Sequence, residues 1–482
     1  MGSFLGKIGQ SLSSFANAKR DKFQIDDLKA GAYEKSNEAI GEAKDIDEKR
    51  ITHGLLELPS FTQYANGVLD KLKLASGVEQ IPGKILIAAN DQLDAGSTPD
   101  GNIFISSGYI RDIKSEDQLA ALLAHELSHV LLRHHDTNVI GRIQKQASGL
   151  LLYGVAMRTT LEKAGGGATS NLLSPSEKDA LMKLELLIKL NDMGLQPAWG
   201  RRQEAEADRL GMDLMIKAGY SYTGMLDWLE MVAEWDKKQA QIKAAQTQSK
   251  HDAIQALMAS GKLDESVKQG VDTAINGLVS QLSNAHDDGE MRLEDIDGYF
   301  VSAYKEKVPQ VALQTKPMKS AKERPDVRVV MNGYQTIFAA RNSVRNLKFD
   351  DAIKALTPLV DRSTALSNEA LPNQLMFEAY RAKGRQKEAE RYLNKSLVTS
   401  NPVWDVYDSA ALYFKDRGDL NQVEKVGKVA FDRFSGAPSA YPKLIALYRN
   451  AGLVQAKDAV LAECILKQAD RRDQCMAAAQ SK

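Results

Sequence analysis

The sequence lacks any long hydrophobic run. Its most apolar stretch, GLLLYGVAM from Gly149 to Met157, falls far short of the roughly 20 residues that a membrane helix needs. The N-terminus, MGSFLGKIGQSLSSFANAKR, also lacks the continuous apolar segment of a secretory signal. We therefore expect no membrane span and, by sequence, a cytoplasmic protein.

The same N-terminus does have an amphipathic pattern. One helical face would carry Phe4, Leu5, Ile8, Leu12 and Phe15, with basic residues around it. Such a helix either lies on a membrane surface, as a peripheral contact, or packs against the body of the protein. Packing against the protein is the simpler interpretation.

An excess of either charge is missing as well, because 63 Lys and Arg residues balance 63 Asp and Glu residues. A balanced chain offers no broad basic surface, so we expect no nucleic-acid partner. Cysteine is rare: only Cys464 and Cys475 occur, near the C-terminus. They either bridge the two arms of a helical hairpin or remain reduced thiols.

A length of 482 residues predicts two or three domains. Polar helical patterns fill the first 80 residues, and two strands follow, in Lys84–Ala89 and Asn102–Gly108, separated by a turn-rich connection. From Ser115 the pattern becomes helical, because Ser115 and Gln118 form a capping box. A Pro- and Lys-rich segment, residues 306–326, is typical of a linker between domains.

Beyond this segment the chain repeats itself every 34 residues. Each repeat has an aromatic residue four positions before a glycine: Tyr380 and Gly384, Phe414 and Gly418, Tyr448 and Gly452. This period is typical of tetratricopeptide (TPR) repeats, in which the glycine opens the turn between two antiparallel helices. Asn346–Leu356 is similar to a further, degenerate unit. The alternative is a helical bundle without true repeats.

The segment HELSH places two histidines, His125 and His129, one turn apart on the same helical face. Imidazoles in this arrangement can bind one Zn²⁺, with Glu126 beside the attacking water as general base. The flanking sequence is strongly apolar, so these polar groups would be buried, and a bound metal would offset the cost of burying them.

A catalytic zinc needs a third protein ligand. Glu204, in RRQEAEADRLGMDLM, is the candidate, and Asp208 lies one turn later, where it can fix the tautomer of a ligating histidine. Glu206 is expected to point away from Glu204 and to matter little.

With these residues in place, the sequence resembles the HtpX- and BepA-type gluzincin metallopeptidases, over roughly residues 75–300. HELSH followed by EAEAD matches the HExxH and ExxxD pattern of that family, and His286 with Arg292 matches its His-x5-Arg element. The resemblance implies one zinc ion per chain on His125, His129 and Glu204, with Asp208 and Arg292 supporting these ligands. It also implies a catalytic role for His286, which either gates the open zinc position or stabilises the oxyanion of the transition state.

The expected fold is mostly α (α+β): a gluzincin metallopeptidase domain with a small sheet, followed by a TPR α-solenoid. We expect an N-terminal helical segment in 1–50, the metallopeptidase domain in 51–305 with a helical insertion at about 232–283, the linker in 306–326 and the repeats in 327–482. Family members with TPR repeats usually carry an export signal, so a periplasmic location is the alternative to a cytoplasmic one.

The expected function is zinc-dependent hydrolysis of peptide bonds in unfolded or misassembled proteins, with further protein partners bound by the repeats. Substrate backbone is expected to pair with the strand that contains Ile103, Phe104 and Ile105. Two other functions remain open: a TPR adaptor or chaperone with a structural or silent zinc site, and a zinc hydrolase that acts on a non-peptide bond.

Overall fold

The structure is a computed structural model. The structure describes residues 23–28, 31–136, 195–259, 287–304, 308, 311–362, 364–399, 401–434, 437–468 and 471–480. Among these residues, no helix is both long enough and apolar enough to cross a membrane. The two halves of the protein are built differently, because strands occur only in the first half of the part that the structure describes.

The N-terminal half contains a short 3-10 turn, five strands and seven helices among its described residues. The turn is Gln24–Asp27, and the strands are β1 (Gly31–Ala32), β2 (Val78–Glu79), β3 (Ile85–Ala88), β4 (Ala95–Ser97) and β5 (Ile103–Ser106). The helices are α1 (Glu42–His53), α2 (Pro59–Ser76), α3 (Ser107–Asp112), α4 (Glu116–Leu131), α5 (Leu195–Lys217), α6 (Thr223–Ala259) and α7 (Asp287–Ala303).

Two small sheets form from these strands. β1 and β2 pair in parallel, and β3, β5 and β4 form a three-stranded sheet in that spatial order. β5 is parallel to β3 and antiparallel to β4, with Ile105 opposite both Ile87 and Ala95. The two predicted strands are confirmed. Between them, β4 occupies part of the predicted turn-rich connection.

Helix α4 begins as its sequence predicts. The Ser115 side chain accepts a hydrogen bond from the backbone N–H of Gln118, at 3.1 Å. In return, the Gln118 side chain accepts one from the N–H of Lys114, at 2.7 Å. Both bonds occupy groups at a helix start that lack partners within the helix. The apolar residues that follow are almost completely buried, so α4 is a core helix.

The N-terminal segment and the linker differ from the predictions. Residues 33–41 run without helix, and α1 crosses the proposed boundary at residue 50. Within the proposed linker, Thr315–Glu323 forms helix α8, in which Met318 and Ala321 are buried. The proposed linker therefore contains a helix whose buried residues pack on the core of the protein.

The described residues include only the first part of the proposed helical insertion. Helix α6 continues without a break to Ala259, so the first half of the proposed 232–283 insertion extends an existing helix. The amphipathic N-terminal pattern, from Phe4 to Phe15, lies outside the described residues.

The C-terminal half consists of helices joined by short turns. They are α9 (Pro325–Arg345), α10 (Phe349–Val360), α11 (Ala370–Ala382), α12 (Gln386–Leu397), α13 (Trp404–Asp416), α14 (Leu420–Arg433), α15 (Ala440–Ala451), α16 (Val454–Lys467) and α17 (Arg472–Gln480). Consecutive helices pack in pairs: α9 with α10, α11 with α12, α13 with α14 and α15 with α16.

The glycines at 34-residue spacing lie at the turns within these pairs. Gly384, Gly418 and Gly452 have φ angles of +71°, +75° and +80°, a left-handed conformation that glycine adopts without strain. In the degenerate first unit the same position is Leu347, with φ +59°. The predicted turn role of the glycines is confirmed, and α9–α10 forms the additional helix pair.

The two halves share one continuous apolar core, which extends from Ile51 in α1 to Ala451 in α15. Polar contacts also join them: Arg341 of α9 pairs with Asp91 at 3.0 Å, in the connection that leads into β4. At the C-terminus, Cys464 and Cys475 form a disulfide between α16 and α17. Of the two alternatives for these cysteines, the structure therefore has the bridged one.

Candidate metal centre

Helix α4 carries three of the predicted site residues, and α5 brings the fourth to them. His125 and Glu126 are 5% and 7% exposed, although both are polar. Helix α5 approaches α4 closely because Gly211 of α5 lies opposite the backbone of α4. A Cβ atom at residue 211 would come within 3.1 Å of the backbone nitrogen of His125. This packing places Glu204 beside both histidines.

The ligand atoms of His125, His129 and Glu204 all lie within 4.8 Å of one another. The two Nε2 atoms are 3.2 Å apart. The Glu204 carboxylate lies 3.4 Å from Nε2 of His125 and 3.5 Å from Nε2 of His129. Two imidazole nitrogens and one carboxylate oxygen around a common point are a donor set suited to zinc. Among the described residues, no other group of three His, Cys, Asp or Glu side chains brings its ligand atoms this close together.

Asp208 lies behind His125, as predicted. Its carboxylate is 2.8 Å from Nδ1 of His125, so it accepts a hydrogen bond from the N–H group that the ligating tautomer carries there. Arg292, from α7, donates two hydrogen bonds to the same carboxylate, each of 2.8 Å. Burial alone would raise the pKa of Asp208, but the Arg292 guanidinium and His125 hold it well below its ordinary value. Asp208 is thus a carboxylate.

Arg292 also reaches a proposed ligand directly. One of its nitrogens lies 3.3 Å from the Glu204 carboxylate. Burial raises the pKa of Glu204, but the neighbouring His125 and the charge of Arg292 outweigh burial and lower it. Glu204 is therefore held as an anion, the form that binds a cation.

Glu126 differs from Glu204 in its environment. Burial raises its pKa to about 6, against the opposing effects of His125, Arg292 and a hydrogen bond from Ser97. A carboxylate whose pKa lies near neutral pH is suited to accept and return a proton. Its position on α4, next to the two histidines, agrees with the role predicted for it.

These residues face a cleft of about 390 Å³. One wall is formed by residues 93–97, which include β4, and the others contain Tyr109, His135, Trp228 and Val232. The ring of Trp228 packs on His125, with centroids 5.2 Å apart. The cleft gives a second molecule access to the proposed metal ligands.

The prediction that substrate backbone pairs with Ile103, Phe104 and Ile105 is wrong. β5 is the central strand of its sheet, hydrogen-bonded to β3 on one side and to β4 on the other. Ile103 and Ile105 point into the main core, and the Phe104 ring lies against Gly96 of β4, where an added Cβ would come within 2.6 Å of it. The strand that borders the cleft is β4.

A further histidine, His134, was missed by the sequence analysis. Its Nδ1 lies 2.8 Å from Nδ1 of His129, and its Nε2 lies 3.4 Å from the carboxylate of Glu206. Glu206, which was expected to point away from Glu204, therefore contacts the site through His134. The signal was present in the sequence, because His134 follows His129 by five residues, just beyond the end of the helix.

The remaining predicted residue, His286, lies outside the described residues. Tyr109 and Trp228 were not predicted as site residues either; they line the cleft and are 5% and 2% exposed. An aromatic residue in an apolar helix gives no local sign of a neighbouring metal centre, so only the tertiary contacts identify these two.

Comparison with known proteins finds peptidases that are similar to part of this chain. Residues 68–299 match the model of Peptidase family M48. The Beta-barrel assembly-enhancing proteases of Yersinia pestis and of Escherichia coli (strain K12) are each 24% identical, over 196 and 193 residues. For both, the match covers 39% of this chain and 36% of the relative.

A mitochondrial metalloendopeptidase OMA1, from Schizosaccharomyces pombe, is 27% identical over 164 residues, which is 33% of this chain and 42% of that protein. The chain thus spans less than half the length of each of these relatives. The part of the chain that matches the family model contains α4 and α5. Residues 68–299 of this chain are thus similar to Peptidase family M48.

Proposed function

We propose that this protein is a zinc-dependent endopeptidase that acts on unfolded or misassembled proteins. The observation that carries the proposal is the convergence of His125, His129 and Glu204 within 4.8 Å, with Glu126 beside them in the same cleft. Two nitrogens and an anionic oxygen fit zinc, and the side chain of Glu204 is 38% exposed towards the cleft, which leaves room for a further ligand.

Zinc bound there would polarise the scissile carbonyl and make a water molecule acidic near neutral pH. The protein's own groups then account for the proton transfers. Glu126 accepts the proton of the attacking water and delivers it to the leaving amine. Asp208 and Arg292 keep His125 in the tautomer whose Nε2 faces the metal.

Strand β4 is the proposed binding edge for substrate. Asp94 O accepts from Ser106 N at 2.8 Å and Thr98 N donates to Asn102 O at 2.9 Å. In an antiparallel strand, the backbone N–H and C=O groups of successive residues point to opposite sides. The groups of Ala95 and Ser97 therefore point away from β5, towards the edge of the sheet beside the cleft. An extended peptide can add there as a further strand. Such binding selects unfolded chain rather than a particular side chain.

The helix pairs of the C-terminal half support a second part of the proposal. Their turn geometry and 34-residue spacing favour TPR-type repeats, and surfaces of such repeats bind protein segments. We assign protein partners to these repeats. Two relatives are named for enhancing β-barrel assembly, so a role in the quality control of protein assembly is the broader function proposed here.

The disulfide favours an oxidising compartment, since cytosolic thiols are usually kept reduced. Among the locations considered from sequence, we therefore propose the periplasm over the cytoplasm.

The test combines metal analysis with cleavage of unfolded casein. Purified protein should contain about one zinc per chain, cleave casein, lose activity to a chelator and regain it when zinc is added back. Glu126→Gln should keep the zinc but reduce cleavage by roughly 10²–10⁴-fold, because only proton transfer is removed. Glu204→Ala should lose both.

The rival functions give different results in the same experiment. An adaptor with a silent zinc site would bind zinc and cleave nothing, with or without Glu126. A hydrolase of non-peptide bonds would also leave casein intact. Cleavage by Glu126→Gln at the wild-type rate would contradict the proposed role of Glu126.

A further inference from the structure

We propose that His134 and Glu206 form a relay that positions His129, the counterpart of the support that Asp208 gives to His125. This inference rests on the zinc site proposed above. The relay comprises three side chains in contact: His129, His134 and Glu206.

The atoms in contact determine where the protons lie. Nε2 of His129 faces Glu204 and Nε2 of His125, so it must carry a lone pair to bind a metal. Neutral His129 then has its proton on Nδ1, and this N–H points at Nδ1 of His134, 2.8 Å away. For His134 to accept there, its own proton must lie on Nε2. That nitrogen faces the Glu206 carboxylate at 3.4 Å.

The Glu206 carboxylate, at the end of the relay, is itself held in place by an arginine. Arg202, one turn earlier on α5, donates to Glu206 at 2.8 Å. The Glu206 carboxylate thus lies between His134 and Arg202 and contacts both of them. The His134 side chain is 7% exposed, which protects the contacts from competing water. Helix α5 thus supplies a carboxylate behind each of the two histidines, directly for His125 and through His134 for His129.

The backbone directs His134 to this place. Arg133 has φ +54°, and the next N–H, that of His134, donates to the carbonyl of His129 at 3.0 Å. This reversal at a helix end usually has glycine at the left-handed position. Here Arg133 occupies it, with its side chain hydrogen-bonded to Asp136 at 2.7 Å. The reversal returns His134 to the face of α4 on which His129 lies.

Zinc affinity, measured by competition with a chelating dye, tests the relay. His134→Phe fills the space without an acceptor and should weaken zinc binding by roughly 10- to 100-fold, the usual effect of losing a partner of a ligating histidine. His134→Asn places a carbonyl oxygen near the position of Nδ1 and should recover most of the affinity. The matched control is His135→Phe. In the wild type, Nε2 of His135 lies 3.3 Å from the Ser97 hydroxyl and not against a proposed ligand, so this variant should keep the zinc affinity of the wild type.

Two further measurements separate positioning from folding. The visible spectrum of the Co²⁺-substituted protein should change in His134→Phe and revert in His134→Asn, because it reports the geometry of the ligands. In the unaltered zinc protein labelled with ¹⁵N-histidine, NMR should show the proton of His129 on Nδ1 and that of His134 on Nε2. This second measurement needs no variant.

The outcomes are distinct. A wild-type chain that binds no zinc would overturn the proposed function together with the relay. A wild-type chain that binds zinc while His134→Phe binds it equally tightly, with an unchanged cobalt spectrum, would overturn the relay alone. A proton on Nδ1 of His134 would do the same.

Discussion

Arg292 binds Asp208 through both of its carboxylate oxygens, although the two residues are 84 positions apart in the chain. The guanidinium reaches both oxygens at 2.8 Å and also lies 3.3 Å from Glu204. Arg292 therefore holds Asp208, which supports His125, and also balances the negative charge of Glu204. This link explains why α7 belongs to the site even though it contributes none of the three converging ligands.

Arg292→Lys is the first prediction. A lysine ammonium cannot form the two parallel hydrogen bonds, so Asp208 should hold His125 less firmly. Zinc affinity should fall by roughly 10-fold, since loss of such outer contacts typically costs 10- to 100-fold. The matched control is Arg209→Lys, which alters the ion pair with Asp295 between the same two helices. If both variants bind zinc equally well, Arg292 has no special connection to the site.

Substrate pairing with β4 gives the second prediction. Take a peptide that the enzyme cleaves and methylate its backbone nitrogens one at a time. Because backbone groups of a paired strand alternate, methylation should reduce kcat/KM by about 10-fold at every second residue next to the cleavage point, the cost of one or two lost hydrogen bonds. Uniform losses, or losses that follow side-chain type, would argue against a strand-like substrate.

Leu347 gives the third prediction. It has a left-handed φ of +59° and a side chain that is 75% exposed, so the backbone is strained while little packing is gained. Leu347→Gly should raise the free energy of unfolding by about 1 kcal/mol, the relief of strain less the greater flexibility of glycine in the unfolded chain. Urea denaturation measures the change.

The converse substitution provides the control. At Gly418 an added Cβ would meet nothing within 4 Å, so Gly418→Ala changes only the backbone preference at φ +75°. It should lower stability by about 1 kcal/mol. If both substitutions change the free energy of unfolding in the same direction, the turn conformation does not control stability here.

The disulfide gives the fourth prediction. Both cysteines are fully buried between α16 and α17, so reduction should loosen this terminal hairpin. Cys464→Ala with Cys475→Ala should cost about 2–4 kcal/mol of local stability. Hydrogen exchange should show faster exchange in 454–480 and unchanged exchange in α4 and α5. Free thiols in protein isolated under oxidising conditions would contradict the bridged form.

The sequence predicted those features that short segments determine. The capping box of α4 involves neighbouring residues, and HELSH places its histidines together by helical geometry alone. The turn glycines were predictable for the same reason, since a left-handed φ is a local requirement.

Features that depend on distant parts of the chain were not predictable. β4 consists of Ala, Gly and Ser between turn-forming residues, and only its pairing with β5 makes it a strand. That pairing also takes the edge of β5, which is why the predicted substrate strand was wrong. Likewise, nothing in the pattern around Glu206 shows that His134 will lie against it.

The continuous core between the two halves has a consequence for how the protein unfolds. In arrays of independent repeats, the units can separate one after another from a free end. Here α9 and its neighbours complete the core that also surrounds α2 and α4, and polar contacts such as Arg341 with Asp91 fix them to the connection before β4. Loss of those helices would expose apolar residues of the N-terminal half to water. The cleft and the helix pairs should therefore melt together, and a partner that stabilises the C-terminal half should also stabilise the proposed catalytic site.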